Sequence, residues 1–274
     1  MPELPEVETA RRVLEPQLLG RTIEEVTVIR PQIIAYPGAD EFAGRLQGQR
    51  FAQAERRGKF LVFRLETGDR LIAHLRMTGC LLLTPAELEP EKHTHIVLRL
   101  DGGTELRFSD MRRFGRMWLI GKDEQDTYTG IEKLGPEPSG REVTADFLQS
   151  RLAKSRRAIK ECLLDQSVIA GIGNIYSDEI LFSAAIKPAR PACSLNEEEW
   201  EKLAALIPKR MEFFVEKNRI SPEDYLATKG KDYRNTPYLQ VYGHAGEPCP
   251  RCGQPLQRQV IGGRGSVFCP CCQL

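Results

Sequence analysis

The sequence is 274 residues long and lacks any apolar run close to the ~20 residues that a bilayer-spanning helix requires. Membrane spanning is thereby set aside. It also lacks a net charge of any size, since 39 basic residues nearly cancel 38 acidic ones to leave +1, so no whole-molecule field selects a polyanionic partner. No internal repeat and no low-complexity tract interrupts it, and the early acids of Met-Pro-Glu-Leu-Pro-Glu-Val-Glu leave no apolar stretch of the kind an export signal needs. The expectation is a cytosolic protein. What is present is a hydrophobic fraction of 41% with 28% charged residues, which excludes disorder of the whole, over a length that suits about two domains of ~100 to 200 residues.

Within the neutral total the two signs segregate. Basic residues crowd the segments Arg45 to Arg76 and Arg151 to Lys160, with Arg251, Arg258 and Arg264 in the tail, whereas acids gather at Glu197 to Glu201 and Glu212 to Asp224. This pattern is compatible with one basic face and equally with scattered solvated charges. The eight cysteines are easier to read. Without an export signal they do not suggest a disulfide framework, and four fall in two CxxC pairs, Cys249-Pro-Arg-Cys252 and Cys269-Pro-Cys-Cys272, separated by a hairpin-length insert. Each such turn points two thiolates at one ion, and two turns complete a closed tetrahedral site, so Cys249, Cys252, Cys269 and Cys272 are expected to hold one structural zinc ion. A redox CxxC would stand singly at a helix start in a βαβ unit, which is absent. Cys271 is an alternative ligand in place of Cys269 or Cys272, although the two-residue gap favours the latter pair. Cys80, Cys162 and Cys193 read as buried or idle thiols.

The chain opens with a helix from about Pro5 to Leu14, and then alternates in strand fashion through residues 22–121, with runs at Ile23–Ile29, Lys59–Leu65, Arg70–Leu75, Ile96–Leu100 and Arg116–Ile120. Thr67-Gly-Asp69 and Asp101-Gly-Gly-Thr104 read as hairpin turns. From Ala145 the period becomes helical, over Phe147–Ala153, Ile159–Leu164, Ile175–Ala185 and Glu197–Lys217, with Asn174 suited to cap the third of these helices. Residues 218–238 read as an irregular loop. The expected class is α+β: an N-terminal antiparallel β-sandwich over 1–135, a Gly135–Gly140 linker, a helical domain over 141–240 and a zinc β-ribbon over 241–274.

Position 2 carries the chemically unusual residue. An initiator Met is generally removed before a small second residue, so Pro2 can present a secondary amine at the mature N-terminus. An α-amino group has a reference pKa of ~8 against ~10.4 for lysine, which makes it far richer in the neutral, nucleophilic form. Its attack on an aldehydic carbon gives an iminium that is cationic without protonation, and that cation acidifies the neighbouring C–H for elimination. Glu3 and Glu6 are three apart at the helix start and can share a face near this amine as acid or base. Their plainer role, with Glu8, is favourable charge at the positive end of the helix dipole.

Met-Pro-Glu-Leu-Pro-Glu-Val-Glu, Arg56-Arg-Gly-Lys-Phe60, His74-Leu-Arg-Met-Thr-Gly79, Asp110-Met-Arg-Arg-Phe-Gly115, Gly171-Ile-Gly-Asn-Ile-Tyr176 and the four-cysteine tail with Gly263-Arg-Gly265 follow one another along the chain. In this order and spacing the sequence resembles the bacterial formamidopyrimidine-DNA glycosylases over essentially its whole length. The resemblance implies a base-excision-repair enzyme that removes oxidised or ring-opened purines and then cleaves the abasic strand by β,δ-elimination. Pro2 matches the nucleophile, Glu3 the carboxylate that moves protons at the sugar, Lys59 a lysine that assists base loss, and Arg264 an arginine on the phosphates flanking the lesion. Arg156 and Asn174 match phosphate contacts of a helix-two-turn-helix, and His74, His95, Arg113 and Tyr242 further DNA contacts. Met77, Arg112 and Phe114 match the trio that refills the stack when a nucleotide is everted. The partner implied is damaged double-stranded DNA, met by a monomer in the bacterial cytosol or nucleoid. Alternatives are a related glycosylase for other oxidised bases or abasic sites, and a zinc-containing damaged-DNA binder without catalysis. The sequence departs from the family pattern at Lys217–Tyr225, where a glycine-rich segment ahead of the base-covering lid is usual, and at His244, where arginine is common.

Overall fold

The computed structural model describes residues 2–232 and 234–274, so the fate of Met1 lies outside the described residues. Helix α1 (Leu4–Leu18) opens at a Pro-containing first turn and runs one turn beyond the Leu14 expected from sequence. The reason is that Val7, Ala10, Leu14 and Leu18 continue one buried stripe, which outweighs the single backbone hydrogen bond that Pro16 cannot donate. Strands β1 (Ile23–Val28) and β2 (Ile34–Tyr36) precede helix α2 (Ala39–Leu46). Then follow β3 (Phe51–Arg57), β4 (Phe60–Leu65), β5 (Arg70–His74), β6 (Gly79–Pro85), β7 (Thr94–Leu100), β8 (Thr104–Asp110) and β9 (Arg116–Ile120).

These strands make a four-stranded sheet in the order β1-β7-β8-β6 and a five-stranded sheet in the order β2-β9-β5-β4-β3. Neighbours are antiparallel except β2, which runs parallel to β9. Phe63, Leu71 and Leu119 from one sheet share a core with Leu81, Leu98 and Phe108 from the other, and α1 and α2 close it with Leu14, Phe42 and Leu46. The two hairpin turns stand where the sequence puts them, with Gly68 at φ +93 and Gly102 and Gly103 at +73 and +75. Several elements escape sequence reading, among them the three-residue strand β2. Strand β6 is a continuous Leu81-Leu82-Leu83 run without alternation, β3 is mostly polar, α2 is short, and β8 buries Arg107 at 4% exposure. That guanidinium is tolerated because Glu105 and the carbonyls of Leu88 and Glu89 surround it.

The remaining helices are α3 (Ala145–Leu152), α4 (Ile159–Leu164), α5 (Asn174–Ala184), α6 (Glu197–Lys217) and α7 (Pro222–Ala227), and the chain ends in the β10 (Gln257–Ile261) and β11 (Arg264–Phe268) hairpin. By packing, the chain divides into a unit of Met1–Glu132 with Arg219–Tyr233 and a unit of Lys133–Asn218 with Arg234–Leu274. The stretch expected to be an irregular loop therefore contains a helix, and that helix belongs to the first unit. Ser221 caps α7 by accepting from Asp224 N at 3.1 Å, and Tyr225, 6% exposed, donates its hydroxyl to the Leu81 carbonyl at 3.3 Å. The start of the expected linker is likewise fixed. Gly135 donates to Gln166 O at 2.8 Å and Pro136 accepts from Ala170 N at 3.0 Å, while a Cβ at Gly135 would stand 2.4 Å from Val168 O.

Candidate active site and nucleic-acid-binding residues

In the first unit, Pro2 and Glu3 are both buried, Glu3 to 1% exposure at the N-cap of α1. Glu6 is the capping partner: its Oε2 accepts from Glu3 N at 2.8 Å, while Glu3 O accepts from Val7 N at 3.0 Å. Glu8 does more than complement the helix dipole. It receives Arg11 and Arg12 at 2.8 Å and Arg56 at 3.2 Å, and although burial opposes its charge, these cations outweigh burial and hold its carboxyl below the ordinary range. Arg56 also donates to Gly58 O at 3.0 Å, so one ionic link ties α1 to the tip of the β3–β4 hairpin, where Lys59 lies 9% exposed. Phe60 pairs in register with His74 and meets its ring edge-on at 4.6 Å. His74 Nδ1 accepts from Arg76 N at 3.0 Å, which leaves Nε2 as the protonated donor. Its pKa is lowered to about 3, first by burial and then by the positive charges of Arg76 and Lys59.

Two loop tips in the same unit carry exposed apolar side chains. Met77 is 38% and Phe114 49% exposed, which sets aside core packing as their role. Arg112 lies over the Phe114 ring at 4.8 Å. Sequence reading gave Thr78 and Asp110 no part, yet they join the two tips. Asp110, 1% exposed, accepts the Thr78 hydroxyl, Arg112 N at 3.1 Å and Gly115 N at 2.7 Å, and Thr78 Oγ1 itself accepts from Arg112 N at 3.1 Å. His95 stands 3% exposed with Nε2 2.8 Å from the Asp110 carbonyl, so in this structure it supports the loop from beneath. Arg113 is exposed, at a φ of 59.

In the second unit, Asn174 is the first residue of α5 and Gly173 is the N-cap, contrary to the sequence expectation. The Asn174 side chain is engaged elsewhere, its Nδ2 donating to Gly265 O at 3.1 Å. Arg156 is exposed ahead of α4, and Arg264 is exposed where the Gly262-Gly263 turn enters β11. Two successive acids of α5, not singled out by sequence, secure these surroundings. Asp178 pairs with Lys160 at 2.6 Å, and Glu179 accepts from the backbone N–H groups of Gln240, Val241 and Tyr242 at 2.9 to 3.0 Å, which fixes the Tyr242 backbone. Burial pushes both carboxyls up, against the pull of Lys160 on one and of those three amides on the other. His244 forms a 2.7 Å pair with Glu247.

Cys249, Cys252, Cys269 and Cys272 bring their sulfurs within 4.8 Å of one another, and among the described residues Cys271 stands outside the group. The Cys249–Cys272 and Cys252–Cys269 separations are 4.0 and 3.5 Å. A zinc ion with ~2.3 Å bonds sets tetrahedral sulfurs ~3.8 Å apart, so the donor set fits one structural zinc, and both distances are far too long for a disulfide.

Three family models match in succession: the formamidopyrimidine-DNA glycosylase N-terminal domain over residues 1–117, its H2TH domain over 134–224, and a zinc finger found in FPG and IleRS over 246–274. The formamidopyrimidine-DNA glycosylase of Desulfitobacterium hafniense is 47% identical with full coverage of both chains, and that of Geobacillus kaustophilus 46% identical, again with full coverage. Lactococcus lactis Fpg in complex with DNA containing an oxidised pyrimidine is a structural neighbour at a TM-score of 0.91 and 36% identity, covering 99% of each chain. The same enzyme bound to DNA containing an abasic site reaches 0.92 at 36% identity and 99% coverage.

A neutral His74 has a measurable consequence. Because its folded pKa lies below the ordinary value of ~6.5, the unfolded chain takes up this proton first. The stability it contributes is complete above ~6.5 and is lost as pH falls towards 3. NMR of the imidazole should show Nε2–H neutral ring signals unchanged from pH 8 to about 4.5. A midpoint near 6.5 would refute the burial argument.

Proposed function

Because the chain belongs to the formamidopyrimidine-DNA glycosylase family, we propose that it excises damaged bases from duplex DNA and cleaves the resulting abasic strand, with Pro2 as nucleophile. The observation that carries this reading is the buried Pro2–Glu3 start, locked by the Glu6 cap and tied through Glu8 and Arg56 to the hairpin bearing Lys59. The secondary amine of Pro2 attacks C1′, the C1′–N bond to the base breaks, and its electron pair leaves with the base. Glu3 delivers a proton to the opening sugar ring oxygen, and Lys59 assists departure of the base. The iminium so formed acidifies the C2′ proton, whose removal expels the 3′ phosphate; a second elimination expels the 5′ phosphate. The amine is then released by hydrolysis. His74, held neutral, serves as a hydrogen-bond donor to phosphate through Nε2. Arg113, Arg156, Asn174, Tyr242 and Arg264 contact the DNA along its strand, and Met77, Arg112 and Phe114 occupy the duplex when the nucleotide leaves it. The zinc ion supplies no chemistry to the sugar and stabilises the fold of the ribbon.

Selection of the base is a separate question, since the amine acts on C1′ whatever base is attached. Arg112 offers donors suited to the acceptor edge of an orphaned cytosine. The Lys217–Tyr225 stretch, which departs from the family pattern, is here the end of α6 and the start of a docked helix, not a glycine-rich flap. This supports a ranking in which ring-opened purines and abasic sites are processed ahead of 8-oxoguanine.

Four measurements test this reading. Borohydride reduction on an abasic duplex should trap one covalent adduct per chain at the N-terminus. Met1 still attached in the intact mass of active enzyme would sink the Pro2 mechanism. Met77→Ala should slow excision of a paired lesion more than cleavage of a preformed abasic site, because a flipped base loses stacking worth a few kcal/mol and an abasic site has none to lose. Equal losses on both substrates would assign Met77 a structural role. Finally, single-turnover rates opposite cytosine should place formamidopyrimidine above 8-oxoguanine; the reverse order would show that the altered segment has no bearing on selectivity.

A further inference from the structure

Asn174, Asp178 and Phe182 stand four residues apart along α5, so they share one face of the helix. Strand β11 lies along that face in register. Asn174 Nδ2 donates to Gly265 O at 3.1 Å. Asp178 Oδ1 accepts the Ser266 hydroxyl at 2.5 Å, and its Oδ2 accepts Val267 N at 2.9 Å. Phe182 packs with Val267 and with Cys249 and Cys269 of the metal cluster. From α4, Lys160 Nζ reaches Asp178 at 2.6 Å and Gly265 O at 3.4 Å, and both charged side chains are 0% exposed.

The ribbon is thus attached to α5 at two separate places. Near the cysteines the attachment is apolar, through Phe182. Beside Arg264 it is the buried Asp178–Lys160 pair, which holds the three residues that follow Arg264 and shares the Gly265 carbonyl with Asn174. A zinc ion fixes the fold at the cysteine end; the far end of the hairpin, whose Gly262 lies against the Glu161 side chain of α4, needs anchorage of its own, since an isolated hairpin is marginal in water. An ion pair taken wholly out of water is a poor source of net stability compared with apolar packing, but a buried carboxylate that also takes a hydroxyl and a backbone amide fixes one arrangement of the strand.

We propose that Asp178, neutralised by Lys160, is a positioning residue for DNA binding: it pins β11 to α5 so that Arg264 and Asn174 meet the phosphate backbone as one rigid surface, independently of zinc. The inference rests on the reading of Arg264 as a phosphate contact. It differs from that reading in predicting that a residue with no access to DNA controls the same contact.

The test uses full-length zinc-loaded protein with an uncleavable abasic-analogue duplex. Arg264→Ala should lower the slope of log affinity against log salt by about one and weaken binding about fivefold at 0.15 M salt, as loss of one phosphate contact requires. Asp178→Asn should do the same with zinc content unchanged, and Arg264→Ala added to it should cause no further loss. Since Asp178→Asn leaves Lys160 buried without its counter-charge and can unfold the unit, the paired replacement Lys160→Met with Asp178→Leu is made alongside, and it should give the same slope. Hydrogen exchange of the Val267 amide should accelerate at least tenfold in that paired variant while zinc stays bound. A wild-type exchange rate at Val267, or losses that add to those of Arg264→Ala, would overturn the pin while leaving the phosphate reading of Arg264 intact. No effect of Arg264→Ala alone would overturn that reading, and the positioning role with it.

Discussion

A nucleophile at the very start of a chain has covalent support from one side only, and everything proposed for this molecule depends on how that end is held. Termini ordinarily fray, because too few contacts offset the entropy of ordering them. Here the helix begins at residue 4, two residues after the amine, and its cap is closed by Glu6 on the Glu3 amide. Glu8 then ties that helix to the hairpin that presents Lys59, through its bond to Arg56. Being only 12% exposed, that carboxylate holds its partners more firmly than a solvated surface pair would.

Buried carboxylates recur beside several of the side chains expected to meet DNA. Asp110 gathers the Met77 and Phe114 loops, Asp178 holds the strand that follows Arg264, and Glu179 takes three consecutive amides around Tyr242. In each case the acid is inside; Met77, Phe114 and Arg264 are outside and Tyr242 is half-buried. An ionised carboxylate has several acceptor sites, so it can order a loop of backbone N–H donors that no side chain of one donor could satisfy. The arrangement also explains how a chain of net charge +1 can serve a polyanion. Asp110, Asp178 and Glu179 are withdrawn into the protein, whereas Arg112, Arg113, Arg156 and Arg264 remain at the surface.

The departure at Lys217–Tyr225 takes on a different meaning in three dimensions. As sequence it reads as a lost glycine-rich lid, but Ser221 caps a helix there and Tyr225 is inserted beneath it, with its hydroxyl on the Leu81 carbonyl. The acids Glu223 and Asp224 lie in the first turn of that helix, where the backbone amides favour negative charge. Relative to a glycine-rich lid, the segment therefore trades backbone freedom for docking against β6.

The sequence by itself determined whatever depends on local spacing. Two CxxC turns specify a closed four-thiolate site, alternation and glycine turns specify hairpins of the sandwich, the apolar period specifies α6, and six ordered motifs specify the family. Tertiary structure alone decided which acids matter. Asp178 and Lys160 are 18 residues apart, Asp178 and Val267 are 89 apart, and Thr78 and Asp110 are 32 apart, so no periodicity connects them. The sequence likewise could not tell that Asn174 would turn from capping its own helix to holding Gly265, nor that Met77 and Phe114 would be left exposed. A side chain's role is fixed by which backbone groups lack a partner when it arrives, and that is known only once distant segments have packed.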